Sequence, residues 1–140
     1  ERQEIVTRLF GYPEWQTYND EIKRSFHQYG TYFYTSFYVD DQDFETRQFV
    51  ESFKQWYGRD LINTFPKYGM LGYDTGIFFL NAVYRFGTNF EQRIDRVPTS
   101  SLQFAFKFDR VNNWGGFINT GLYLIHYDTD NVVYKINKSR

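Results

Sequence analysis

The sequence predicts an α/β domain, and three observations predict it. An apolar strand, a short amphipathic helix and an aromatic strand follow one another, which is a β-α-β order. Two helices occupy the centre of the chain. The tail then alternates apolar and polar residues and breaks at turns rich in Asn and Gly. Together these give a parallel βαβ unit, further helices, and antiparallel hairpin strands at the C-terminus, within one domain over residues 1–140.

Residues 4–10, EIVTRLF, read as a strand with apolar groups on both faces, as in a strand covered on two sides. Gly11, Tyr12 and Pro13 end it. Asn19 or Thr17 caps a short helix that carries Ile22, Phe26 and Tyr29 at i, i+4 and i+7, and Gly30 stops it. Residues 32–39, YFYTSFYV, form a second strand. A β-α-β order implies parallel pairing through a right-handed crossover.

Asp40, Asp41 and Asp43 make an acidic loop. A helix is predicted over residues 44–57, with Asp43 as N-cap and Gly58 as its left-handed stop. Phe49, Phe53 and Trp56 form its apolar stripe, beside Val50 and Tyr57. A second helix begins near Pro66 and stops before Gly87. Gly69, Gly72 and Gly76 share one of its faces. A glycine costs a helix about 1 kcal/mol relative to alanine, so that face predicts close approach by a sheet or by a ligand. Residues 88–101 carry no clear pattern.

In the tail, Leu102, Phe104, Phe106 and Phe108 alternate with Gln103, Ala105, Lys107 and Asp109. Such period two predicts an antiparallel strand with one solvated face. A turn over 111–116, a strand over 117–127, a turn over 128–131 and a strand over 132–136 follow. Two parallel strands alone leave open edges. Either the hairpins complete the sheet, or the chain is one part of a larger lobe. In the second case a fragment self-associates as a homodimer, by edge pairing or by exchange of the tail hairpin.

Composition removes several classes of function. The formal net charge is −1, whereas nucleic-acid binding needs a basic face that displaces counterions; no nucleic-acid partner is expected. No run of eighteen apolar residues occurs. Cysteine is absent, which removes disulfides and thiolate chemistry. Neither HExxH, nor Gly-x-Ser-x-Gly, nor a phosphate-cradling glycine loop is present. His27 and His126 stand apart and read as structural. The carboxylates of the acidic loop serve N-capping better than acid–base work. No catalytic residue, metal site or cofactor is expected.

Small molecules in open α/β sheets bind beyond the carboxyl ends of the strands. Here those ends are residues 11–16 and 38–41. Tyr12, Glu14, Trp15, Tyr38 and Asp41 are the candidates there. Tyr and Trp offer stacking area with few rotors. Plain loop packing accounts equally well for Tyr12 and Trp15.

The centre of the chain also carries a resemblance. The helix F-V-x-x-F-x-x-W-Y-G (Phe49, Phe53, Trp56, Tyr57, Gly58) is followed by Pro66 and by Y-x-x-x-G-Y-D-T (Tyr68, Gly72, Tyr73, Asp74, Thr75). This order resembles the second lobe of type I periplasmic solute-binding proteins, which include the branched-chain amino-acid receptors of ABC importers. The stretches DLINTFPKYGMLGYDTG and FDRVNNWGGFINTGLYLIHY are most similar to an envelope subgroup whose members carry LysM peptidoglycan-binding repeats. The resemblance implies a C-terminal lobe fragment in the periplasm or cell envelope that captures a small solute, such as an amino acid or a peptide-like molecule. It implies an ABC permease as partner, and peptidoglycan contact through other domains. The alternative is a structural envelope module with a degenerate cleft. Tyr73 and Asp74 join the ligand candidates through the motif, although Asp74 reads as well as a hydrogen-bond lock on the helix start or a nearby loop. The family's ammonium-binding glutamate has no counterpart at His27, Gln28 and Tyr29.

Overall fold

The computed structural model describes residues 7–137. The chain is α/β with a mixed four-stranded sheet, a separate two-stranded ladder, three α-helices and two 3-10 segments among the described residues. It divides into two compact units. One comprises Glu1–Ser36 with Leu122–Arg140, the other Phe37–Gly121.

The first unit holds β1 (Phe10–Gly11), α1 (Asp20–Gln28), β2 (Tyr32–Thr35), β5 (Tyr123–Tyr127) and β6 (Val133–Asn137). Its sheet runs β1-β2-β5-β6. The β1–β2 pair is parallel, and β2–β5 and β5–β6 are antiparallel. A hairpin therefore completes the sheet. One sheet face is buried, with Phe33 and Ile125 fully covered and paired across the ladder. Phe26 of α1 packs edge-on to Tyr127, at 5.6 Å between ring centroids. Asn19 caps α1 by accepting from the Ile22 N–H at 3.0 Å. His27 Nδ1 lies 2.7 Å from the Asp128 carbonyl, which can only accept, so the proton sits on Nδ1. Both histidines are packed: His126 stacks on Tyr32 at 3.9 Å. Asn131, at φ 60°, closes the β5–β6 turn.

The second unit holds α2 (Phe44–Tyr57), α3 (Tyr68–Phe86), a 3-10 segment (Gly87–Arg96), β3 (Phe108–Arg110) and β4 (Phe117–Asn119). Asp43 caps α2, accepting from the Thr46 N–H at 3.0 Å, and Gly58 ends it at φ 64°. α3 begins two residues past Pro66, at Tyr68. Phe78, Ala82, Ile94 and Val97 form the core, with Phe86, Phe90, Phe106, Phe108 and Phe117 packed against it. A segment without legible pattern thus supplies two core residues.

Several expectations are corrected. Within residues 4–10, positions 4–6 lie outside the described residues, and only Phe10 continues into a strand. The strand expected over 32–39 ends at Thr35, because the chain passes into the second unit there; Phe37 makes an isolated bridge to Phe104. The strand expected over 102–109 keeps its alternating aromatic face, with Phe106 and Phe108 stacked at 6.0 Å. Its first amides are taken by the Asp74 carboxylate, so the ladder begins only at Phe108. The strand expected over 117–127 splits around Gly121, where a Cβ would fall 2.2 Å from the Ala105 carbonyl oxygen. On α2, Trp56 is 83% exposed, and the buried residue is Thr46. The glycine face of α3 is close-packed only at Gly69, where a Cβ would fall 2.6 Å from the Leu61 side chain; at Gly72 or Gly76 it meets nothing within 4 Å.

Candidate functional site

The second unit contains a groove of about 390 Å³ between α2 and α3. α2 presents Glu45, Gln48, Phe49 and Ser52, which at i, i+3, i+4 and i+7 fall on one helical face. α3 adds Tyr73 and Ile77, one turn apart, and the segment after the 3-10 helix adds Ser100 and Leu102. The Phe49 and Tyr73 rings stand 4.8 Å apart at 51°. Ser100 donates its hydroxyl to Glu45 Oε2 at 3.1 Å. Glu45 lies in the first turn of α2, where the helix dipole favours a carboxylate. It is the one charged group of the lining.

Behind the groove the framework is stitched by two buried polar side chains. Asp74 is 1% exposed. Its Oδ1 accepts from the Leu102 N–H at 2.8 Å, and its Oδ2 from Gln103 at 2.8 Å and Phe104 at 3.0 Å. Three amides aimed at one carboxylate stabilise its charge where water is excluded. Gln103 returns the contact to the start of α3: its Oε1 accepts from the Lys67 N–H at 3.0 Å, and its Nε2 donates to the Lys67 carbonyl at 3.4 Å. The Gln103 carbonyl accepts from the Tyr38 N–H at 2.9 Å. Leu102, on the groove wall, is thereby held in place from behind.

The seven candidate residues fall in different places. Tyr73 lines the groove and Asp74 secures its wall. Tyr38 is tied to Gln103 through its backbone, and Asp41 is exposed. Tyr12, Glu14 and Trp15 belong to the first unit. Tyr12 and Glu14 are exposed, whereas Trp15 stacks on Phe26 at 5.3 Å and 14°. Its ring also covers Gly11, where a Cβ would meet it at 2.2 Å. Glu45, Gln48 and Ser100 were not among the candidates. The helical spacing from Glu45 to Ser52 is a signal that finds the four α2 residues of the groove; Ser100 lies in the stretch that lacks a pattern.

Chemically, the groove offers one carboxylate, two aromatic faces, a side-chain amide and hydroxyls. That set suits a small solute with a cationic nitrogen and an apolar or planar part. Among the described residues, no three His, Cys, Asp or Glu side chains group to hold a metal ion, and no helix is long and apolar enough to cross a membrane. Comparison with family models, with curated proteins and with solved structures found no match to this chain.

Proposed function

We propose that this chain is a non-catalytic recognition domain that captures a small solute in the α2–α3 groove. The observation that carries this reading is the Glu45 carboxylate set in the same groove as the Phe49–Tyr73 ring pair. The volume falls in the range of small-molecule sites, about 300–1,000 Å³. An amino acid or short peptide has the required chemistry, its ammonium group toward Glu45 and its side chain against the rings. Glu45 offers, from another element, the carboxylate that His27, Gln28 and Tyr29 lack. The helix-pair motif supports the wider setting of this proposal, a lobe like that of type I periplasmic solute-binding proteins, working in the periplasm or cell envelope with an ABC permease.

Calorimetric titration with amino acids, short peptides and cell-wall fragments tests the reading. An amine-bearing member of the panel should bind, and Glu45→Gln should weaken it three- to tenfold, about 1 kcal/mol for a solvent-exposed charge pair. Binding that ignores Glu45→Gln, or none across the panel, removes the groove as the site.

A structural envelope module is the second reading, and one observation favours it. The loop after β1 is filled by its own side chains, with Trp15 lying on Phe26 and over Gly11. On that reading the panel is silent, and the longer protein still sediments with peptidoglycan through its other domains.

A further inference from the structure

A surface helix normally turns a charged or polar face to water. α3 does not. From Tyr68 to Tyr84, every exposed position carries an uncharged side chain, while the one charged residue of that stretch, Asp74, is buried. At 3.6 residues per turn the exposed positions fill a continuous arc of about 160°. Gly76 marks the centre of the arc. Leu80 is 68% exposed and Tyr84 89%. Gly72 and Gly76 have open space where a side chain would be, so nothing within the second unit requires glycine there. What these glycines permit is the close approach of a further backbone.

We propose that this face is a homotypic interface, on which α3 of a second copy lies antiparallel about a two-fold axis level with Phe78. In that arrangement Leu80 sits over the partner's Gly76 and Tyr84 over the partner's Gly72. Val83 falls opposite the partner's Tyr73. The side-chain ridge at the C-terminal half of the helix fills the glycine groove of the N-terminal half, and the two-fold axis repeats the fit. A charged partner would find no ion pair on this face, only the hydroxyls of Tyr68, Tyr73 and Tyr84, whereas a second uncharged face meets it without leaving a charge unpaired. The chain's formal net charge of −1 sets little long-range repulsion between copies. The interface and the α2–α3 groove meet at Tyr73, which lines both; the variants that test the interface, at Leu80 and Tyr84, lie outside the groove lining.

Sedimentation equilibrium between about 1 and 200 µM tests the surface. One helix pair is a small interface, so a dissociation constant on the order of 10 µM is expected. Leu80→Glu should leave only monomer with an unchanged circular-dichroism melt. Tyr84→Lys, at a more exposed position, should do the same and guards against a folding defect in the first variant. The chain has no cysteine, so Thr88→Cys carries a single nitroxide just past the end of α3. Antiparallel pairing places two such labels about 30 Å apart along the axis, and parallel pairing about 10 Å. A monomer throughout the range overturns the proposal and leaves the face to a different partner. A dimer that survives both variants overturns it in favour of the sheet edges. A label separation near 10 Å overturns the antiparallel fit.

Discussion

Replacing Asp74 by asparagine tests whether one buried carboxylate holds the second unit together. The native side chain accepts from three consecutive amides, those of Leu102, Gln103 and Phe104. Asparagine keeps a single carbonyl oxygen. Placed where Oδ2 stands, it still accepts from Gln103 and Phe104. The amide nitrogen then faces the Leu102 N–H, donor against donor. One charge-assisted bond is lost, about 1.5–3 kcal/mol, and the two that remain become neutral bonds of about 1 kcal/mol each. With the low end of each range, the expected loss is at least about 2.5 kcal/mol. Alanine leaves all three amides without this acceptor, and at about 1–3 kcal/mol for each buried donor the loss rises to about 5 kcal/mol. That approaches the whole stability of an ordinary domain, about 5–15 kcal/mol. Denaturant melts followed by hydrogen exchange provide the assay. In Asp74→Asn the amides of Leu102, Gln103 and Phe104 should all exchange roughly a hundredfold faster as the unit loses stability, since each tenfold corresponds to about 1.4 kcal/mol. A loss below about 1 kcal/mol, with unchanged exchange at these amides, would refute the role assigned to the carboxylate.

Three further outcomes follow from the same geometry. Gly72→Ala should stabilise the monomer by about 1 kcal/mol, measured by thermal melting at low protein concentration, because the added methyl meets open space; a loss of stability would mean that α3 is covered within the chain. Trp15→Ala should destabilise the first unit by about 2–4 kcal/mol through loss of its stack on Phe26, read by near-ultraviolet dichroism. Solute binding at the groove should not change, and a selective loss of binding would return Trp15 to the ligand site. Phe49→Leu should halve the aromatic wall of the groove and weaken an amine-bearing ligand by about 0.5–1 kcal/mol, with calorimetry as the readout and an unchanged affinity as the failing result.

The helices were legible because their signals are local. Asp43, Gly58 and the apolar spacing between them mark α2 from Phe44 to Tyr57, and Asn19 and Gly30 bracket α1 in the same way. The tail strands were legible in type but not in extent. A ladder needs free backbone groups, and a period-two pattern does not reveal that Asp74, thirty residues before Phe104, takes the amides of 102–104. Nor does it reveal that Gly121 must pass against the Ala105 carbonyl, which splits one expected strand in two. The glycines of α3 were legible as a face, but their neighbours were not, because a glycine stripe looks the same whether it is covered or open. At the groove, Tyr73 came from a motif. Its companions Glu45 and Ser100 are joined by a contact fifty-five residues long in sequence, and no local pattern records such a contact.

Thr35 at the end of β2 pairs directly with Tyr123 at the start of β5, yet the whole second unit, Phe37–Gly121, lies between them in the chain. Paired residues of neighbouring strands stand only about 5 Å apart. The chain thus leaves the first unit and re-enters it through almost the same point, as a hairpin loop does, and an entire helical unit occupies the place of that loop. Such an arrangement makes the sheet a socket: what is threaded between β2 and β5 can be exchanged, shortened or replaced by a tight turn without altering the strand register, so the α2–α3 groove and the sheet are free to diverge as separate pieces.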